Sequence, residues 1–289
     1  TQYDTTLLTD NEAIVPQGIA WGWRMTIELP DRGKIYQFKV DRILGRGGTG
    51  TVYRGIDPET GKAVAAKLFH ANFFRNAMHT RDFAKSVQRF RQFDHPNVVK
   101  IFDFIDGEEG ACLIQEYVDG PDLKWYIANR RWDLNERLVI VAQVCNGLQY
   151  IHEQGFMHHD LKPANILFTR KGIAKLTDYS LSRARFFTLF DTSLHEQVTP
   201  MYVAPELIQK KKATPQSDIY SLGITMYLMF AGKVPFEVDN LAKLYQCHLS
   251  IVPIRPADVN AKCPPALSDM IMRMIDKSPG NRFRDCDEL

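Results

Sequence analysis

The strongest constraint on this chain is a change of pattern near residue 120. Before it, "YQFKVDRILG", "GTVYRGID" and "AVAAKLF" alternate or cluster β-formers between glycines and a "DPETGK" turn signal. These read as three antiparallel strands, and "VVKIFDFID" and "ACLIQEYV" read as two more. Between the groups, Phe83, Val87 and Phe90 fall at i, i+4 and i+7, the spacing of one helix. After "DGPD" the character turns helical. "LNERLVIVAQVCNGLQYIHEQG" is amphipathic and ends at Gly155, and the rest is mostly helix apart from an irregular stretch over 178–206. Strands first and helices afterwards predict an α+β chain of two lobes with a cleft between them. Residues 1–34 lack sustained periodicity and read as an extension with a short strand at "WRMTIEL". The first lobe then runs over about 35–116 and the second over about 121–289.

Composition narrows the class. Of 289 residues, 45% are hydrophobic and 24% charged, which is ordinary for a globular protein. A net charge of +2 favours neither nucleic acid nor an anionic membrane as partner. Five scattered cysteines without a C-x-x-C pair argue against a disulfide framework or a zinc site and fit a reducing compartment. The most apolar run, "LGITMYLMFAG", is too short to span a bilayer and reads as a buried helix. No leader is visible and the first residue is not Met, so the chain reads as a trimmed piece; its expected place is the cytoplasm, alone or as the cytoplasmic domain of a larger protein.

Three segments carry chemistry. "GRGGTGTV" places Gly45, Gly47 and Gly50, with Gly48 beside them, between two strands. Glycines let the backbone approach a polyphosphate with its N–H groups free, although an ordinary hairpin turn would use the same residues. A strand rather than a helix follows, which disfavours a dinucleotide site. Lys67 in "AVAAK" sits on an apolar strand, where burial demands an anion nearby; a clamp on nucleotide phosphates fits. In "HHDLKPAN", Asp160 can accept a hydrogen bond from an attacking hydroxyl, and Lys162 can neutralise charge on a phosphoryl group in transfer. Asn165 offers a carbonyl oxygen to magnesium, with the Asp178 carboxylate of "KLTDYS" as its partner.

With these segments in this order, residues from about 36 onward resemble the eukaryotic-type protein kinases, whose signature set includes the same motifs. "HPN" at 95–97, "QEYVDG" at 115–120, "TPMYVAPE" at 199–206, "SDIYSLGI" at 217–224 and Arg282 extend the match. The resemblance implies a bilobal protein kinase fold using ATP and Mg²⁺. It implies that Glu116 and Val118 present backbone groups to adenine, that Gln115 is the gatekeeper, that Val52 and Ala65 cover the ring, and that Asp122 contacts ribose. Asp218 is similar to the acid that anchors the catalytic loop, and Glu206 and Arg282 to a structural ion pair. Lys162 and Thr199 resemble the residues of members that phosphorylate serine and threonine on protein substrates. A small-molecule phosphotransferase of related fold would lack the "TPMYVAPE" platform.

The chain departs from the family pattern at three positions. His159 stands where the family commonly has an Arg that pairs with a phosphorylated residue, which implies altered regulation with the chemistry kept. Ser180 replaces the glycine of the D-x-G motif. Ser86 holds the helix position of the glutamate that pairs with the strand lysine. Either Asp82, one turn earlier, substitutes for it, or Lys67 is held by Asp178 or the phosphates. The alternative to an enzyme is a pseudokinase, a nucleotide-binding scaffold that acts on partners. The activation segment offers Thr188, Thr192, Ser193 and Thr199 as hydroxyls; either Thr192 or Ser193 is an autophosphorylation site or these groups only solvate a loop, and domains beyond Leu289 are expected to regulate the chain.

Overall fold

The alternating stretches form one antiparallel sheet in the computed structural model, which describes residues 26–31, 34–70, 73–74, 76–107, 110–181 and 200–289. Its strands are β1 (Thr26–Asp31), β2 (Lys34–Gly47), β3 (Gly50–Ile56), β4 (Ala63–Phe69), β5 (Ile101–Gly107) and β6 (Gly110–Glu116). The spatial order is β1-β2-β3-β4-β6-β5. The strand expected at "WRMTIEL" is β1, which pairs with β2 from Thr26↔Lys39 to Asp31↔Lys34, so the end of the extension completes the sheet edge. Helix α1 (Ala77–Phe90) is capped by Asn76, whose side chain accepts the His79 N–H at 3.0 Å. It buries Phe83, Val87 and Phe90, as their spacing predicts. Phe83 meets Phe69 and Phe104 edge-on at 5.7 and 4.9 Å between ring centroids. The opposite sheet face carries a smaller core of Phe38, Val64, Ala66, Ile105, Cys112 and Ile114.

The second lobe is helical: α2 (Leu123–Asn129), α3 (Leu134–Glu153), α4 (Pro215–Ala231), α5 (Leu241–Ser250) and α6 (Pro265–Met274). A reciprocal box between Asp133 and Glu136 starts α3, with bonds of 2.8 and 3.0 Å. Helix α4 holds the apolar run and is buried on nearly every side, which is why its sequence lacks an alternating stripe. It lies so close to α6 that a Cβ at Gly223 would sit 2.6 Å from Ile275 and 2.8 Å from Met274. A two-stranded hairpin, β7 (Ile166–Phe168) and β8 (Ala174–Leu176), lies between the lobes' cores and joins them.

Candidate active site

The β7–β8 hairpin brings the two expected metal ligands together. Asn165 precedes β7 and Asp178 follows β8, and the Thr177 N–H bonds to the Asn165 carbonyl at 3.0 Å. The same hairpin is fastened to residues 97–99: Leu176 donates to the Asn97 carbonyl, and Val99 donates to the Leu176 carbonyl, both at 2.9 Å. The Asn97 side chain adds a 2.9 Å bond to the Ala174 carbonyl.

From the sheet side, Lys67 reaches the same point. It lies opposite Val52 on β3 and Leu113 on β6, and shares a face with Ala65, which lies opposite Gln115. Lys67 is 3% exposed, so its ammonium needs an anion, and both Asp178 carboxylate oxygens lie 2.7 Å from its Nζ. This selects between the two readings of the missing helix glutamate. Asp82 stands on the exposed side of α1, 3.8 Å from Lys85, while the Ser86 hydroxyl donates to the Asp82 backbone carbonyl at 3.0 Å. Asp82 therefore does not take the glutamate's place; Asp178 holds the lysine.

The loop between α3 and β7 supplies the remaining groups. Asn165 donates through Nδ2 to the Asp160 carbonyl at 2.7 Å and to its carboxylate at 2.9 Å, which leaves its own Oδ1 to face a cation. Lys162 Nζ lies 3.0 Å from Asp160 Oδ2. Burial draws the Lys162 ammonium below its usual pKa, and the Asp178 charge opposes that shift. Asp218, at the first turn of α4, fastens the loop from below. It accepts the His158 and His159 N–H groups at 2.7 and 2.9 Å and a 2.7 Å bond from His152 Nε2. Burial would raise its carboxyl, but the His152 bond and the three imidazoles hold it at about 2. His159 adopts φ 63°, turning the chain sharply just before Asp160.

The glycine loop closes as a tight hairpin with Gly47 opposite Gly50. Gly50 must be glycine, because a Cβ there would lie 2.1 Å from the Leu68 carbonyl oxygen. Around Gly45 and Gly47 the space is open, as backbone approach by a phosphate requires. His70 ties the loop down through a 3.0 Å contact to the Gly47 carbonyl. Gln115 and Val118 are buried at the connection between the lobes. The Glu116 side chain bonds the Lys100 N–H at 3.1 Å and Lys175 at 3.0 Å, a link across the lobes that the motif reading missed. Asp122 caps α2 through a 2.7 Å bond from the Trp125 N–H, so one of its oxygens already has a structural partner. Tyr179 was also passed over. Its signal is plain in "DYS", since a tyrosine at an apolar position carries a hydroxyl that must find a partner. Thr188, Thr192, Ser193 and Thr199 lie outside the described residues.

In the second lobe, Glu206 and Arg282 meet in a buried two-pronged pair at 2.8 and 2.9 Å. No helix among the described residues is long and apolar enough to cross a membrane.

Comparison with known proteins bears on the family and the fold. The probable serine/threonine-protein kinase PknB of Lactococcus lactis is 31% identical over 265 residues, covering 89% of this chain and 42% of that protein. The serine/threonine-protein kinase pkn3 of Myxococcus xanthus is 32% identical over 269 residues, covering 86% and 47%. The chain thus spans less than half the length of these curated relatives. The crystal structure of the Mycobacterium tuberculosis PknI kinase domain shares the fold, with a TM-score of 0.69 at 24% identity over 87% of this chain and 92% of that one. The sequence profile of the protein kinase domain matches residues 38–288, and the chain belongs to that family.

Proposed function

We propose that this chain is a Ser/Thr protein kinase domain that transfers the γ-phosphoryl group of ATP, with Mg²⁺, to a hydroxyl of a protein substrate. One observation carries the reading: Lys67 on Asp178 and Lys162 and Asn165 on Asp160 form a single polar cluster between the lobes. Asp160 orients the acceptor hydroxyl and Lys162 offsets charge on the phosphoryl group. Lys67 holds the nucleotide phosphates beneath the backbone of Gly45, Gly47, Gly48 and Gly50. Asn165 Oδ1 and the Asp178 carboxylate are the oxygen donors that suit Mg²⁺, which would neutralise phosphate charge when bound. Val52 and Ala65 supply the apolar cover for adenine, Glu116 and Val118 its backbone partners, Gln115 the rear wall, and the second Asp122 oxygen a ribose contact.

Serine and threonine specificity is supported by Lys162 and by the names of the relatives. Replacement of the usual Arg by His159 supports activity that does not depend on a phosphorylated activation segment. Ser86 favours a second reading, a pseudokinase that binds nucleotide and acts on partners. Transfer from labelled ATP with Mg²⁺ to a generic basic protein separates the two. Wild type is expected to label the substrate, and Asp160→Ala to lose about 100-fold or more. Equal silence of both proteins, with nucleotide binding retained, would favour the scaffold.

A further inference from the structure

We propose that the Tyr179 hydroxyl is a positioning group that keeps Asp178 turned toward Lys67, in a chain whose α1 has Ser86 where a carboxylate would otherwise steady that lysine. The inference rests on the kinase reading for its consequence in catalysis, and on geometry for the latch itself.

Tyr179 is 1% exposed, and its hydroxyl donates to the Val99 carbonyl at 2.9 Å. Val99 is fully buried, so this oxygen has no access to water. The bond extends a short ladder. Val99 N–H already holds the Leu176 carbonyl, and Leu176 N–H holds the Asn97 carbonyl. Thr177 N–H holds Asn165. The backbone before Asp178 is therefore pinned by three bonds, and the side chain after it by the fourth. Asp178 itself adopts φ 64°, which a residue other than glycine keeps only where its surroundings over-determine it. If the Asp178–Tyr179 unit swung out, the buried Val99 carbonyl would lose the phenol that bonds it in an apolar site.

The same ring reaches α1. It stacks on Phe93 with centroids 5.8 Å apart at 8°, and meets Phe90 edge-on at 5.5 Å and 90°. Ser86 lies one turn before Phe90, and the one acid of α1, Asp82, is paired on the surface with Lys85. The hydroxyl of the residue next to Lys67's carboxylate partner thus does work that the helix side chain leaves undone: it restrains the carboxylate instead of the lysine.

Tyr179→Phe removes one oxygen and keeps the ring. Hydrogen exchange of peptides covering 174–181 is expected to quicken about tenfold, the worth of one buried hydrogen bond. Phosphotransfer is expected to fall by a similar factor in kcat, with a higher Mg²⁺ requirement and an unchanged KM for the protein substrate. Adding Ser86→Glu to Tyr179→Phe should recover most of the rate, because a carboxylate on α1 would brace Lys67 from the helix side. Unchanged exchange and unchanged Mg²⁺ dependence in Tyr179→Phe would overturn the proposal. So would a uniform loss of melting temperature and rate that Ser86→Glu does not repair, which marks a role in folding alone. If the wild type transfers no phosphate, the kinase reading fails separately; exchange at 174–181 and the Mg²⁺ dependence of ATP binding then decide the latch.

Discussion

Gly50 shows how a single atom can govern the glycine loop. Its missing Cβ is what lets β3 start against the Leu68 carbonyl. Gly50→Ala places a methyl group 2.1 Å from that oxygen, so the hairpin must open or slide. On the proposed function, at least a tenfold rise in KM for ATP is expected, with kcat changed less, because the loop would hold the nucleotide and the cluster around Asp160 would carry the transfer. Steady-state kinetics at varied ATP checks this, and Gly280→Ala is the control, since it lies outside the loop and its Cβ meets nothing within 4 Å. The need for glycine in "GRGGTG" was legible from spacing. Which glycine is indispensable was not, because that depends on the neighbouring strand's carbonyl.

Elements show a similar division. Periodicity located α1 and α3, whose apolar faces repeat with the helix turn. The strand expected from Val98 instead begins at Ile101. The Asn97 carbonyl and the Val99 N–H on either side of Val98 are committed to Leu176 of the β7–β8 hairpin, a distant partner that no local pattern reveals. The helical turn at Pro205–Ile208 depends on another distant partner, since Glu206 is neutralised by Arg282. Burial would raise the Glu206 carboxyl, yet the Arg282 and Ser217 bonds keep it low, so the charge stays in place. Arg282→Met strands that carboxylate and is expected to cost about 3–5 kcal/mol, read by chemical denaturation. Adding Glu206→Gln should restore part of the loss, because no unpaired charge then remains buried.

The molecule as a whole should be sensitive to mild acid through His248. This imidazole is fully buried against Tyr220, Phe236 and Lys277, with the Tyr220 hydroxyl 2.8 Å from Nδ1. Burial and the Lys277 charge lower its pKa from 6.5 to about 4. Between those values the unfolded chain binds the proton and the folded chain does not, so stability falls as pH drops from about 6.5 toward 4. The loss is on the order of 3 kcal/mol. Asp218 acts lower: its stabilisation is present above about 3.8 and disappears as pH falls toward 2. His248→Asn keeps an acceptor for Tyr220 without titrating. Its melting temperature should vary less than that of wild type between pH 6.5 and 4.

The order of residues was enough to divide the chain into a strand-rich and a helix-rich lobe and to single out Lys67, Asp160, Lys162, Asn165 and Asp178 as candidates for its chemistry. Helical and strand periods are local, and reactive side chains are recognisable by type and spacing. Contacts across long separations were decided only by folding. Lys67 found Asp178 at a separation of 111 residues, and Tyr179 found Val99 at 80. The reason is physical: a buried charge or hydroxyl must be satisfied, but which of several distant groups satisfies it depends on how the lobes and the β7–β8 hairpin come together.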